Sequence, residues 1–208
     1  MQRIAFGLLY GPGARVYDRF TAWLFLGEWA AWQEAALPLL PSTGPILELG
    51  AGTGRLAAVA AAAGRSWVAL DRSPAMVRVA RRRVRPDGPW LVQADAARLP
   101  FADATFAAVV ATCPANYVRD AQVAAEVARV LKADGTFVIV LSGEVAPDGW
   151  HRRLRRYALR YFYGDGTGAD VPELPMPGFA SRRETARTAH GTVQIQICWK
   201  VGRHDGRP

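Results

Sequence analysis

Lysine is nearly absent from this chain: of its 26 basic residues 24 are Arg and 2 are Lys, in 208 residues carrying a net charge of +8. Such a bias follows genomic base composition more than binding. The positive balance therefore reads first as a solvated basic surface, though it permits anionic partners. Cysteine is scarce too. Cys113 and Cys198 are too few for a disulfide framework, and each sits in an apolar, strand-like setting, which fits a reduced cytoplasmic protein. No stretch approaches the ~20 apolar residues that span a bilayer, and the opening MQRIAFGLLYGPG is too short for the apolar core of a signal peptide. His, Cys and Asp show no metal-ligand spacing, so no metal is expected. No repeat recurs, and the one biased tract, LAAVAAAAG, reads as a helix buried against something flat.

What is present is an alternation. Half of the residues are hydrophobic, enough for one well-filled core in a single domain spanning 1–208. From residue 45, short apolar runs alternate with amphipathic stretches. PILEL (45–49) precedes a helix with Leu56, Val59, Ala60 and Ala63 on one face. SWVALD (66–71) leads into SPAMVRVARRRV, with Ser73 as N-cap and Pro74 at the first helical position. PWLVQAD (89–95) and TFAAVVAT (105–112) follow, then a helix in RDAQVAAEVARVLK that ends at ADG, then GTFVIVL (135–141). Strands as apolar as FAAVVA and FVIVL survive only in a sheet covered on both faces. The fold class is therefore α/β, open and doubly wound. Near the end, ASRRETARTAHGTVQIQICWKV alternates with period two around a Gly turn, which predicts an antiparallel hairpin over 181–202. Residues 1–43 read as a helical cap, 44–142 as the ligand-binding core, and 143–180 as a segment of helix and loop.

The first strand runs into Gly50-Ala51-Gly52-Thr53-Gly54. In an open parallel sheet, ligands bind beyond the carboxyl ends of the strands, where strand order reverses. Glycines there let a ligand lie against the backbone. By itself the turn also suits a nicotinamide or flavin, because GTGRLA fits the pattern G-x-G-x-x-A. Three features point elsewhere. Counted from Gly50, which directly follows the strand, the sixth position is Arg55, wrong for a pyrophosphate turn. Glu48, two residues before Gly50, would repel a pyrophosphate and suits an ammonium group. Asp71 and Asp95 close the next two strands, so that three strand ends carry negative charge and favour a cationic adenosine ligand. Asp71, 21 residues after Gly50, stands where a carboxylate accepts both hydroxyls of a ribose.

Four segments in order, ILELGAGTGRLA, ALDRSPAMV, QADAARLPFADATFAAVVA and EVARVLKADGTFVIV, resemble the successive motifs of the class I S-adenosylmethionine-dependent methyltransferases. Within them the chain is most similar to the small-molecule and lipid branch that includes the ubiquinone and menaquinone C-methyltransferases. The likeness covers about residues 44–142, and VYDRFTAWLFLGEW also resembles the helical entry of that branch. The resemblance implies a Rossmann-like, mostly parallel seven-stranded sheet with a C-terminal antiparallel hairpin, and an enzyme using S-adenosylmethionine. It implies that Gly50, Ala51, Gly52 and Gly54 pass beneath the methionine part of the cofactor, with Glu48 at its amino group and Thr112 nearby. Asp71 would take the ribose, Arg72 and Met76 would pack around the adenine, Asp95 and the Ala96 N–H would meet its edge, and Tyr17 would reach the carboxylate.

Methyl transfer from a sulfonium needs mainly alignment, which can supply ~7–11 kcal/mol of the barrier, and no dedicated catalytic residue is required. In TCPANYVRD the candidates for touching substrate are Cys113, Asn116 and Tyr117. That loop departs from the Asn/Asp-Pro-Pro-aromatic pattern of amino-group methyltransferases acting on nucleobases or glutamine. The expected acceptor is a small molecule or lipid, because residues 143–180 leave no room for an added recognition domain, and nucleic acid is not expected. The arginine-rich stretch 151–163 would form a basic amphipathic helix that packs on the sheet or touches a membrane surface. Two rival functions are an RNA or protein methyltransferase using the basic surface, and a catalytically silent module that binds S-adenosylmethionine without turnover.

Overall fold

The computed structural model describes residues 27–85, 88–114, 116–145 and 173–202, together with Arg19, Thr21, Ala22 and Phe25. A short helix, α1 (Glu28–Glu34), and a 3-10 turn at Leu37–Leu39 lead into β1 (Ile46–Leu49). Then come α2 (Arg55–Ala62), β2 (Trp67–Asp71), α3 (Pro74–Arg83), β3 (Trp90–Gln93), β4 (Phe106–Thr112), α4 (Ala121–Val130), β5 (Leu131–Val145), β6 (Phe179–Arg187) and β7 (Gly191–Lys200). They form one seven-stranded sheet in the order β3-β2-β1-β4-β5-β7-β6. β1 to β5 pair in parallel, and β7 runs antiparallel to both β5 and β6. The α/β reading and the closing hairpin both hold, the hairpin starting at Phe179.

Alternation along each strand sends side chains to two cores. Ile46, Trp67, Ala69, Ala108, Val110, Val138 and Val140 share one face with α1, α2 and α3 residues. Leu47, Leu49, Leu70, Val109, Ala111 and Phe137 share the other with α4. The anticipated cap forms at α3: the Met76 N–H donates to the Ser73 hydroxyl at 3.3 Å, with Pro74 following. At α4 the cap is Asp120, which accepts from the Gln122 N–H at 2.9 Å.

Two boundaries differ from the sequence reading. The helix anticipated to reach ADG stops at Val130, and Leu131 already pairs with Phe106. The register then slips between Phe106 and Ala108, so the chain rejoins β4 only at Thr136. Leu131 is fully buried on the α4 side of the sheet and is held there by strand pairing. The buried face of α2 consists of Leu56, Ala57 and Ala60, whereas Ala63 is exposed beyond the helix end. Of the 143–180 segment, only its ends are described. β5 extends to Val145, and Leu174 and Met176 are buried against the α4 side. The fully buried Gln196 of β7 holds Leu174 from both sides, accepting from its N–H at 2.9 Å and donating to its carbonyl at 2.8 Å. Tyr17, His151 and the basic stretch 151–163 lie outside the described residues.

Candidate active site

Strand order reverses between β1 and β4, so their carboxyl ends diverge and leave a crevice. The glycine turn after β1 and the loop after β4 flank it. Each glycine of the turn meets a different neighbour. At Gly50, φ is +67° and an added Cβ would lie 2.7 Å from the Tyr117 hydroxyl. That hydroxyl donates to the Leu49 carbonyl at 3.1 Å, tying the loop after β4 to the end of β1. At Gly52, φ is +56° and a Cβ would meet nothing within 4 Å, so the backbone there borders open space. Gly54 starts α2, where a Cβ would press 2.8 Å from that of Ala80 on α3. The turn thus combines an exposed backbone edge with close packing on either side.

Asp71 organises this edge. One of its oxygens accepts from the Gly52 N–H at 2.7 Å and the other from the Ser73 N–H at 2.7 Å. Burial raises the Asp71 carboxyl above its ordinary range, against the opposing pull of these two N–H groups. Each carboxylate oxygen still has a lone pair for a ligand. Across the ends of β2 and β3, the exposed Arg72 and Asp95 face each other at 3.6 Å. Asp95 also accepts from the Ala97 N–H at 3.0 Å, and Ala96 beside it is buried. Met76 is fully buried in the core with Leu56, Ala57 and Trp67.

Glu48 corrects the picture of three charged carboxylates. It lies inside the sheet face, where the Trp67 indole N–H donates to it at 2.9 Å. Burial, with a smaller push from Asp71, lifts its carboxyl to about 8. Burial thus favours the neutral acid at Glu48, and a cation beside it would draw the charge back out. The penalty for ionising it sets a pH dependence of stability. Because the native group binds its proton more tightly than the unfolded one, stability falls as pH rises from about 4.5 towards 8, by up to about 1.4 kcal/mol per pH unit. Glu48→Gln should flatten that decline. Denaturant unfolding of wild type and variant between those limits, without ligand, measures the difference.

After β4, Thr112 is buried, and its hydroxyl lies 3.5 Å from the Gln33 amide nitrogen of α1. Cys113 has a positive φ of +46°, and its N–H donates to the Val140 carbonyl at 2.8 Å. Its desolvated thiol is pushed up to about 12. A thiol so firmly protonated is a poor nucleophile at neutral pH, which leaves it a wall-lining role. Tyr117 faces the glycine turn through its hydroxyl. Asn116 stands in the 3-10 turn Asn116–Arg119. Among the described residues no cluster of His, Cys, Asp or Glu could hold a metal, and no helix is long and apolar enough to cross a membrane.

Sequence reasoning missed the contribution of α1. Its last residue, Glu34, pairs with Arg55 at the start of α2, which fastens the cap helix beside the glycine turn. Nothing local in EWAAWQE announces that contact, which joins residues 21 positions apart.

Residues 47–139 match the model of a methyltransferase domain family. The chain is 40% identical over 135 residues to a demethylmenaquinone methyltransferase of Clavibacter sepedonicus, covering 63% of this chain and 55% of that protein. To the enzyme of the same name from Tropheryma whipplei it is 32% identical over 161 residues, 73% of this chain and 65% of that one. The chain thus spans a little over half to about two thirds of the curated relatives it matches. In fold it is similar to a SAM-dependent methyltransferase of Thermotoga maritima, with a TM-score of 0.58 at 20% identity over 90% of this chain and 98% of that one. In strand order, in the turn at its switch point and in the matched segment, the chain is similar to the class I S-adenosylmethionine-dependent methyltransferases.

Proposed function

We propose that this protein moves the methyl group of S-adenosylmethionine to a small hydroxylated aromatic acceptor of the quinol type. The observation that carries the reading is the Gly50–Gly54 turn with Asp71 bound beneath it, an open backbone edge at the switch point beside a half-buried carboxylate at the neighbouring strand end. The residues suit the cofactor. Asp71 retains lone pairs for the ribose hydroxyls, Gly52 offers backbone without a side chain, and Glu48 is a buried acid whose charge a neighbouring cation would stabilise. Asp95, Arg72 and the Ala96 N–H are the candidates for the adenine, and Thr112 for the methionine end. When bound, the cofactor supplies an activated methyl group. The chain's own residues align the acceptor, exclude water and hold charge. The quinol class is favoured by the names of the two relatives described above, both demethylmenaquinone methyltransferases.

The test is turnover. Purified protein, incubated without oxygen with S-adenosylmethionine and naphthohydroquinone, should yield S-adenosylhomocysteine and a ring product heavier by one CH2, read by mass spectrometry. Product formation only with RNA or protein acceptors would overturn the acceptor assignment. Cofactor binding with no product from any of these would leave a silent binding module.

A further inference from the structure

α1 carries three polar atoms that a packing helix has no use for. Glu28 and Trp32 are 3% and 2% exposed, yet one Glu28 carboxylate oxygen and the Trp32 indole N–H have no hydrogen-bond partner. The side-chain carbonyl of Gln33 is also buried and unpaired. A buried polar group without a partner costs its full desolvation penalty, so such groups are rare and each calls for a reason. Here half of the unpaired buried polar atoms of the described residues fall within six consecutive positions, residues 28–33.

Their place in the fold supplies the reason. Glu28 and Trp32 are one helical turn apart and share a face of α1. The Trp32 ring lies flat on Gly143 of β5, where a Cβ would come within 2.0 Å of it. Gln33 reaches Thr112, the last residue of β4, and Cys113 packs on the same cluster as Trp32. The unpaired atoms thus belong to the layer over the carboxyl ends of β4 and β5, next to the switch point. Trp32 itself sits in an aromatic cluster, with Phe25 edge-on at 5.0 Å and Trp29 at 6.2 Å.

We propose that Glu28, Trp32 and Gln33 recognise the acceptor, and that what they recognise is a hydroxyl group on an aromatic ring. An N–H needs a lone pair, and the two oxygens need hydrogens. A hydroxyl offers both at once, donating to Glu28 while accepting from Trp32. A phosphate or carboxylate ligand would be repelled by Glu28, and an ammonium would leave the indole N–H unpaired. These are binding and positioning residues, and the inference rests on the methyltransferase reading above.

The probe is naphthohydroquinone, kept reduced under argon and titrated by calorimetry into the full chain saturated with S-adenosylhomocysteine. Wild type should bind it. Trp32→Phe and Glu28→Met should each bind it at least about tenfold more weakly, the loss of one hydrogen bond to a buried group. Both should keep wild-type affinity for S-adenosylhomocysteine. Glu28→Met removes an unpaired buried oxygen, so its Tm should hold or rise, which a purely structural Glu28 would not produce. Independently of any variant, the dimethyl ether of the probe, which cannot donate, should bind wild type poorly. The inference is overturned if both variants bind the hydroquinone as wild type does, if the ether binds as well as the hydroquinone, or if wild type with S-adenosylhomocysteine ignores the probe. A wild type that fails to bind S-adenosylhomocysteine overturns this inference and the methyltransferase reading together.

Discussion

Asp71→Ala should raise the Kd for S-adenosylhomocysteine by at least about 100-fold, the loss of two hydrogen bonds to a charged group at ~1.5–3 kcal/mol each. The prediction is large because Asp71 has two tasks. Its carboxylate holds the Gly52 and Ser73 N–H groups, each at 2.7 Å, and so fixes the turn over which a ligand would lie. Its remaining lone pairs would accept the ribose hydroxyls. Removing the side chain loses the turn's anchor and, on the proposed function, the ligand's acceptor with it. Asp71→Asn weakens both in part, since an amide keeps one accepting oxygen and can hold only one of the N–H groups. Its affinity and its Tm should both fall between those of wild type and Asp71→Ala. Calorimetry with the three proteins checks the order.

Gly143→Ala should lower stability by about 3 kcal/mol, at the top of the usual range for overpacking, or about 6–12 °C in Tm for a chain of this size. The added methyl would come within 2.0–2.5 Å of Cε2, Cδ2 and Nε1 of Trp32. These are atoms of a rigid ring, not the tip of a flexible chain. The ring cannot slide away, because Phe25 and Trp29 hold it and it is 2% exposed. Nor can β5 retreat, since Gly143 pairs with Val193 in the sheet. The strain falls on α1, so acceptor turnover should drop with Tm. Adding Trp32→Leu should recover part of the loss, and thermal melts of the two singles and the double variant give the coupling.

The contrast between these two positions shows what the sequence could convey. Asp71 was legible because its meaning is local: it closes an apolar strand, and Ser73 and Pro74 follow at once with a helix cap that forms as read. The same holds for the five parallel strands, whose apolar runs record burial on both faces. Gly143 carries no such mark. Its requirement comes from an indole far away in the chain, brought over β5 only when α1 packs. Tyr117 reaching the Leu49 carbonyl and Gln196 holding Leu174 are likewise long-range. Glu48 shows a different limit. Its place beside the glycine turn could be read from ILELG, but its raised pKa could not, because desolvation depends on how completely the folded chain buries it. The early end of α4 was hidden for a related reason: Leu131 continues the helical spacing of Val123, Val127 and Val130, yet strand pairing claims it.

The most direct test is a calorimetric titration of the ligand-free protein with S-adenosylhomocysteine and, in parallel, with NADPH. Saturable binding of the first and none of the second is expected from a turn backed by Asp71 and a buried acid awaiting a cation. Binding of NADPH with no heat from S-adenosylhomocysteine would contradict it.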